Sequence, residues 1–233
     1  MGAVVGYLSR PGVDQGPVLN RRSWRLLINA AVVALLLVCV FAFSGCEEEE
    51  DAYRYDRLGQ ESYAKGQYQK AIGYFEKSLA IVREAVGEMH PNVASNYNNL
   101  GTAWLALGQY QKAIWYFEKS LAVSRKASGE KHPHTAISYN NLGEAWRSLG
   151  QYQKAIGYYE NALAIDREAL GEKHPKVAIR YNNLGAAWVS LGQYRKAIGY
   201  FEKALAILRG ALPKGHPSIR QAEENLAAAK SQQ

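Results

Sequence analysis

Apolar residues recur along most of this chain at helical spacing. Tyr97, Leu100, Gly101 and Trp104 fall at i, i+3, i+4 and i+7, and the same set returns at Tyr139, Leu142, Gly143, Trp146 and at Tyr181, Leu184, Gly185, Trp188. Such a stripe gives a helix one face to bury. A second stripe follows each of these: Ala113, Ile114, Phe117, Leu121 and Val123 supply the buried face of a helix that starts at Tyr110. The punctuation is equally regular. Pro91 opens the first helix, where its missing N–H is not needed. Gly108 stops that helix, and Gly129 closes the unit with a Gly-Glu-Lys-His loop before Pro133. Two helices of roughly 17 residues and two short connections fill such a unit, and no strand is needed.

The unit has a fixed length. Tyr-Asn-Asn-Leu-Gly starts at Tyr97, Tyr139 and Tyr181, always 42 residues apart, and His-Pro pairs keep the same step at His90, His132, His174 and His216. The pattern predicts an all-α solenoid of antiparallel helix pairs. Helix pairs begin near Ala52, Pro91, Pro133 and Pro175, and a single solvating helix runs from Pro217 to about Lys230. Residues 52–230 therefore hold four 42-residue repeats and that last helix, with 231–233 as a tail. The terminal units differ as expected where one side meets water: Ser62 stands in place of tryptophan, and Glu223 and Ala227 replace the tyrosine and the glycine. Gly101, Gly143 and Gly185 cost their helices about 1 kcal/mol each against alanine. A recurring cost of that kind predicts close helix approach, with Tyr110, Tyr152 and Tyr194 expected to fill the facing space and Ala113, Ala155 and Ala197 small for the same reason.

The order aromatic, Leu-Gly, aromatic, then Gly-x-Tyr, Ala, Phe/Tyr and Ala/Ser-Leu resembles the tetratricopeptide repeat. The ordinary form is shorter and ends its second helix with proline; here Arg83, Arg125, Arg167 and Arg209 stand at that place and the helix continues. The longer form, with Leu-Ala-Ile-x-Arg-Glu followed by Gly-Glu-Lys-His-Pro, is similar to the kinesin light chain class of these repeats. The resemblance implies a right-handed superhelix whose first helices line a concave groove that binds a protein or peptide.

Ahead of the repeats, Leu26 to Phe43 is apolar for 18 residues with Asn29 as its one strongly polar member. Arg21, Arg22 and Arg25 precede it and the acidic spacer 47–51 follows. Positive charge stays on the cytoplasmic side, which places the repeats on the extracytoplasmic side. Residues 1–46 read either as a membrane-spanning anchor or as a signal peptide. Phe43-Ser44-Gly45-Cys46 resembles the cleavage box of bacterial lipoproteins, fitting at Ser44, Gly45 and Cys46 and departing at Phe43. That resemblance makes Cys46 the lipidation candidate. Both readings tether the domain to a membrane.

Angular position selects the candidate groove. Asn99 and Thr102 lie about 150° from the core direction of their helix, and Ser95 and Ala106 about 170°. The equivalents are Ile137, Asn141, Glu144 and Ser148, then Ile179, Asn183, Ala186 and Ser190, with Arg57 and Gln60 in the first unit. Asn99, Asn141 and Asn183 each offer an amide donor and acceptor matching the backbone of an extended peptide; hydrogen bonding between adjacent repeats is the alternative. Asn98, Asn140 and Asn182 sit nearer the groove edge, where inter-repeat bonding weighs more. Arg57, Glu144, Arg147 and Arg180 give the groove mixed charge. Ser95, Ile137 and Ile179 stand where a carboxylate-clamp variant would need lysines, which argues against capture of a C-terminal carboxylate.

Other chemistry is excluded by arrangement. The net charge is +7, divided as +3 over residues 1–45, −5 over 46–51 and +9 over the rest. Lys70, Lys112, Lys154 and Lys196 recur with the period, and lysines so distributed read as a solvated face and not as a nucleic-acid site. Cys39 and Cys46 both precede the repeats, so no thiolate metal site or disulfide holds them. One histidine per repeat cannot converge on a metal when stacked helices lie about 8–10 Å apart; only His134 adds a nearby imidazole. No cofactor site and no nucleophile, phosphate loop or carboxylate pair stands outside the periodic pattern, so the chain is not read as an enzyme. Trp115, where Gly73, Gly157 and Gly199 stand elsewhere, is expected to be exposed and offers a surface for self-association. The sequence thus reads as a membrane-tethered scaffold holding an extended partner segment in its groove. The alternative is a structural or self-associating assembly factor of an envelope complex that uses its convex face.

Overall fold

The computed structural model describes residues 50–233, which lie within one compact unit, Glu47–Gln233. The apolar segment and Cys46 lie outside the described residues. All regular structure among the described residues is helical: α1 (50–64), α2 (Tyr68–Val86), α3 (Pro91–Ala106), α4 (Tyr110–Ala127), α5 (Pro133–Ser148), α6 (Tyr152–Leu170), α7 (Pro175–Ser190), α8 (Tyr194–Ala211) and α9 (Pro217–Ser231). Helices α3, α5 and α7 each pack on the even helix that follows, α1 meets α2 where Gly59 lies against Phe75, and each even helix packs on the next odd helix.

The recurring histidine has a local task. His90, His132, His174 and His216 are N-caps, and in each the imidazole Nδ1 accepts the backbone N–H two residues on at 3.2 Å. That satisfies one of the donors a helix start leaves unpaired, while proline at N1 needs no partner. The turn inside each unit requires a positive φ, 71° at Gly108 and 80° at Gly150, which glycine adopts without strain. The loop between units is held by charge. Arg83, Arg125 and Arg167 reach Glu88, Glu130 and Glu172 of the Gly-Glu loop. Tyr97 and Tyr139 donate their hydroxyls to Glu88 and Glu130 at 2.7 and 2.8 Å. The arginine that extends the second helix is thus explained by the loop it fastens. Burial first, and then the Glu88 carboxylate, pushes the Tyr97 phenol up to about 12.

The core is layered along the stack. Leu100, Leu142 and Leu184 are fully buried, as are Ala103, Ala145, Ala187, Ala113, Ala155 and Ala197. The glycines do mark close approach, but the expected facing residue is corrected. A Cβ on Gly101, Gly143 or Gly185 would stand 2.5, 2.6 or 2.5 Å from the ring of Phe117, Tyr159 or Phe201, and Gly59 meets Phe75 the same way at 2.4 Å. The ring sits 16 residues after the glycine each time, not at Tyr110, Tyr152 or Tyr194. Each such buried ring contributes about 1.5–3 kcal/mol. The tryptophans line the edge of this core, and Lys112, Lys154 and Lys196 lie over Trp104, Trp146 and Trp188 at 4.2, 4.3 and 4.1 Å. The periodic lysines are therefore on the surface as cation–π lids.

Candidate functional site: the first-helix face

Successive first helices approach one another more closely than successive second helices do, α3 touching α5 and α7 touching α9. Asparagines span that approach. Asn99 Nδ2 donates to Asp56 Oδ1 at 2.8 Å, Asn141 to Asn98 Oδ1 at 3.2 Å, Asn183 to Asn140 Oδ1 at 2.8 Å and Asn225 to Asn182 Oδ1 at 2.8 Å. Every rung links residues 43 apart and points the same way, from the later repeat to the earlier. Asn140 also donates to Asn141 Oδ1 and Asn98 to Ser138 Oγ, both at 3.4 Å. The six asparagines are all half-buried, and the inter-repeat bonding held open as an alternative is present at each of the three units. A primary amide has two donors and two acceptor sites, so each rung leaves capacity toward the open side.

The remaining candidates divide. Thr102 bonds its own helix, Oγ1 to the Asn98 carbonyl at 2.8 Å. Glu144 accepts from Arg147 Nη2 at 2.6 Å and from the Tyr159 hydroxyl at 2.8 Å. Burial pushes the Glu144 carboxyl up, but the hydrogen bonds from Arg147 and Tyr159 and the Arg147 charge outweigh it and hold the carboxyl below its ordinary value. Tyr159 is the one tyrosine where its counterparts are Phe75, Phe117 and Phe201, and Glu144 is the partner that its extra hydroxyl requires. Ile179 is half-exposed on this face, and Ile137 is partly covered. Trp115 is half-exposed on the second-helix side.

Arg180 is not a groove charge. Its side chain is buried and its Nε donates to Asp166 Oδ2 at 2.8 Å. This pair belongs to a seam where each second helix meets the next first helix, at positions 14 residues apart. The seam holds Val82 and Asn96, then Ser124 and Ser138, then Asp166 and Arg180, then Leu208 and Ala222. At the second of these Ser120 donates to the Ala94 carbonyl at 2.8 Å and shares a hydrogen bond with Ser138 at 2.9 Å. At the first, Asn96 is buried with Oδ1 unpartnered. A scan for repeat positions that vary in step, 14 residues apart, would have found the seam in the sequence.

The seam at its N-terminal end stands open. A cleft of about 560 Å³ between α1, α2 and α3 is lined by Tyr53, Asp56, Ile81, Val82, Val86 and Asn96 among others. The corresponding recess one unit on, at Ala94, Asn98, Ser124 and Ile137, is about 200 Å³. Burial pushes the Asp56 carboxyl above its ordinary value, with the hydrogen bonds from Asn99 and Gln60 acting against that rise.

The arrangement defines a class. The tetratricopeptide repeat profile matches residues 52–114, 104–159 and 146–210, and the chain belongs to the tetratricopeptide repeat family. Its similarity to the kinesin light chain class extends to solved structures. A kinesin light chain candidate from Podosopora anserina, built of nearly identical TPR-like repeats, is 28% identical, with a TM-score of 0.66 over 77% of this chain and 85% of that one. BtubC (BKLC) from P. vanneervenii is 26% identical, with a TM-score of 0.69 over 81% of each chain. Aspartyl phosphate phosphatase F from Bacillus subtilis, 23% identical, shares the fold with a TM-score of 0.69 over 79% of this chain and 46% of its own. Among curated proteins no sequence matches.

Proposed function

We propose that the repeats form a membrane-tethered scaffold that holds an extended segment of a partner protein along the first-helix face. The observation that carries this reading is the row of half-buried asparagine amides that starts on the Asp56 carboxylate and runs to Asn225 with one polarity. A ladder of that kind presents unspent donors and acceptors at regular intervals, matching the alternating N–H and C=O groups of an extended main chain. Ser95 beside it gives way to isoleucine at Ile137 and Ile179 in the later units, and these side chains supply selectivity.

Because the asparagines also join the repeats, replacing them would not separate binding from folding. A photo-crosslinking amino acid placed at Ile137 or Ile179 in the full chain tests the face directly in cells. Adducts to a partner from these positions, with none from Trp115, support the groove. Adducts from Trp115 alone would move the function to the second-helix face and favour the self-associating alternative. The tether is tested at Cys46. Lipidation predicts that Cys46→Ser accumulates precursor and loses labelling by a fatty-acid analogue; unchanged labelling and mobility would leave an uncleaved spanning helix.

A further inference from the structure

The first rung of the asparagine ladder is the exception. Asp56 stands where Asn98, Asn140 and Asn182 stand in the later units, and the cleft opens at that exception. The counterparts of Asp56 and Asn96 one unit on are Asn98 and Ser138, which are joined by a direct hydrogen bond of 3.4 Å. No such hydrogen bond joins Asp56 and Asn96. Asp56 presents a carboxylate whose Oδ1 accepts from Asn99 at 2.8 Å and whose Oδ2 accepts from Gln60 at 2.6 Å, while Asn96 donates to the Asn92 carbonyl at 3.1 Å and its buried Oδ1 has no donor. The Asp56 carboxylate, which keeps free lone pairs, therefore borders a space that the next unit closes with a donor–acceptor pair.

The walls of the cleft say what should enter. Ile81, Val82 and Val86 are aliphatic, and Tyr53 stands exposed at the rim. The arginines of α1 are already engaged, Arg54 by Asp51 at 3.0 Å and Arg57 by Glu61 at 3.5 Å. The run Glu47–Asp51 leads into α1 at the same end, so this part of a basic chain is locally acidic. A long aliphatic stem ending in a cation matches both surfaces, since such a side chain packs its methylenes on apolar walls and delivers its charge to an acceptor.

We infer that the cleft between α1, α2 and α3 is a specificity subsite for a lysine or arginine side chain of the bound peptide, with the Asp56 carboxylate receiving its N–H donors. The inference rests on the proposed peptide-binding face and fixes the charge of its ligand. It sets a basic residue at the N-terminal end of the scaffold, with the rest of the peptide lying on the ladder.

The test uses the full chain in a neutral detergent and three labelled, end-capped peptides, Ala-Leu-X-Leu-Ala with X as lysine, norleucine or glutamate. Fluorescence anisotropy should show the lysine peptide bound at least tenfold more tightly than the norleucine peptide, and the glutamate peptide weakest. Asp56→Asn keeps the acceptor for Asn99 and recreates the residue found at the other three rungs, so the fold is retained; the lysine preference should fall to within twofold. Glu202→Gln, which removes an exposed carboxylate on α8 away from the first-helix face, should leave the ratio unchanged. Absence of a lysine preference, or one that survives Asp56→Asn, overturns the subsite, and survival would assign the effect to the acidic run 47–51. Crosslinks at Ile137 and Ile179 decide the groove separately, so a groove without a subsite is a distinct result.

Discussion

Asp166→Ala removes one half of the buried pair at the junction of the third and fourth units. The Asp166 side chain is 1% exposed and that of Arg180 8%, with a single contact of 2.8 Å between them. Losing the carboxylate leaves a guanidinium buried without a partner, and breaking such a pair costs about 3–5 kcal/mol. The loss should be confined to one interface, because repeat stacks gain stability from nearest-neighbour contacts. In urea, followed by helical ellipticity, the midpoint should fall, and hydrogen exchange should accelerate first in α7, α8 and α9. The chain itself supplies the control. One junction later the same two positions hold Leu208 and Ala222, so Asp166→Leu with Arg180→Ala installs a pair already used in this fold. Asp166 Oδ1 has no partner even in the intact pair, which weakens the case for the charges as net stabilisers. The double variant should therefore lie within about 1 kcal/mol of the parent, or above it. A single variant costing less than about 1 kcal/mol, or a double variant no better than the single, would refute the reasoning.

Three further outcomes follow from the same geometry. Gly143→Ala should destabilise by about 1–3 kcal/mol through overpacking on Tyr159, while Gly157→Ala, with open space around its Cβ, should stabilise by about 0.5–1 kcal/mol; thermal melts of the two variants read the contrast, and equal signs would contradict it. His132→Ala should cost about 1 kcal/mol by loss of the helix cap, and His132→Asn should restore it, because asparagine is a preferred cap; equal losses in both would show that the cap is not what the imidazole supplies. Asp56→Asn should raise Tm at neutral pH, since a carboxyl whose folded pKa is raised costs stability only when pH lies above the unfolded value. That gain should shrink to nothing as pH falls through the acid range, and a gain that grew on acidification would reverse the sign.

The periodic part of the fold was legible because identical residues at identical spacing admit one reading. The proline starts, the glycine turns, the buried leucine column and the exposed Trp115 all follow from that. Partners were less legible than faces. A helical wheel gives the direction of Gly101 but not which ring meets it, and the ring proved to be Phe117, one turn pair beyond Tyr110. It gives the direction of Asn141 but not its bond to Asn98, which depends on the lateral offset of two stacked helices. Arg180 misled for a related reason: its counterparts Asn96 and Ser138 are small and polar, so the position looked like an open surface when it is a seam. The most informative seam residues were those that broke the period.

The seam also bears on how a chain of near-copies keeps its order. Units with this much shared sequence could stack on the wrong neighbour, within one chain or between two. The paired positions differ at each of the four junctions, so the unit carrying Arg180 meets a carboxylate only on the unit carrying Asp166. Docked out of turn, Asp166 would face Ser138 or Ala222 and be buried as a bare anion. One column of side chains thus works as a set of keyed joints between units that are otherwise built to one plan.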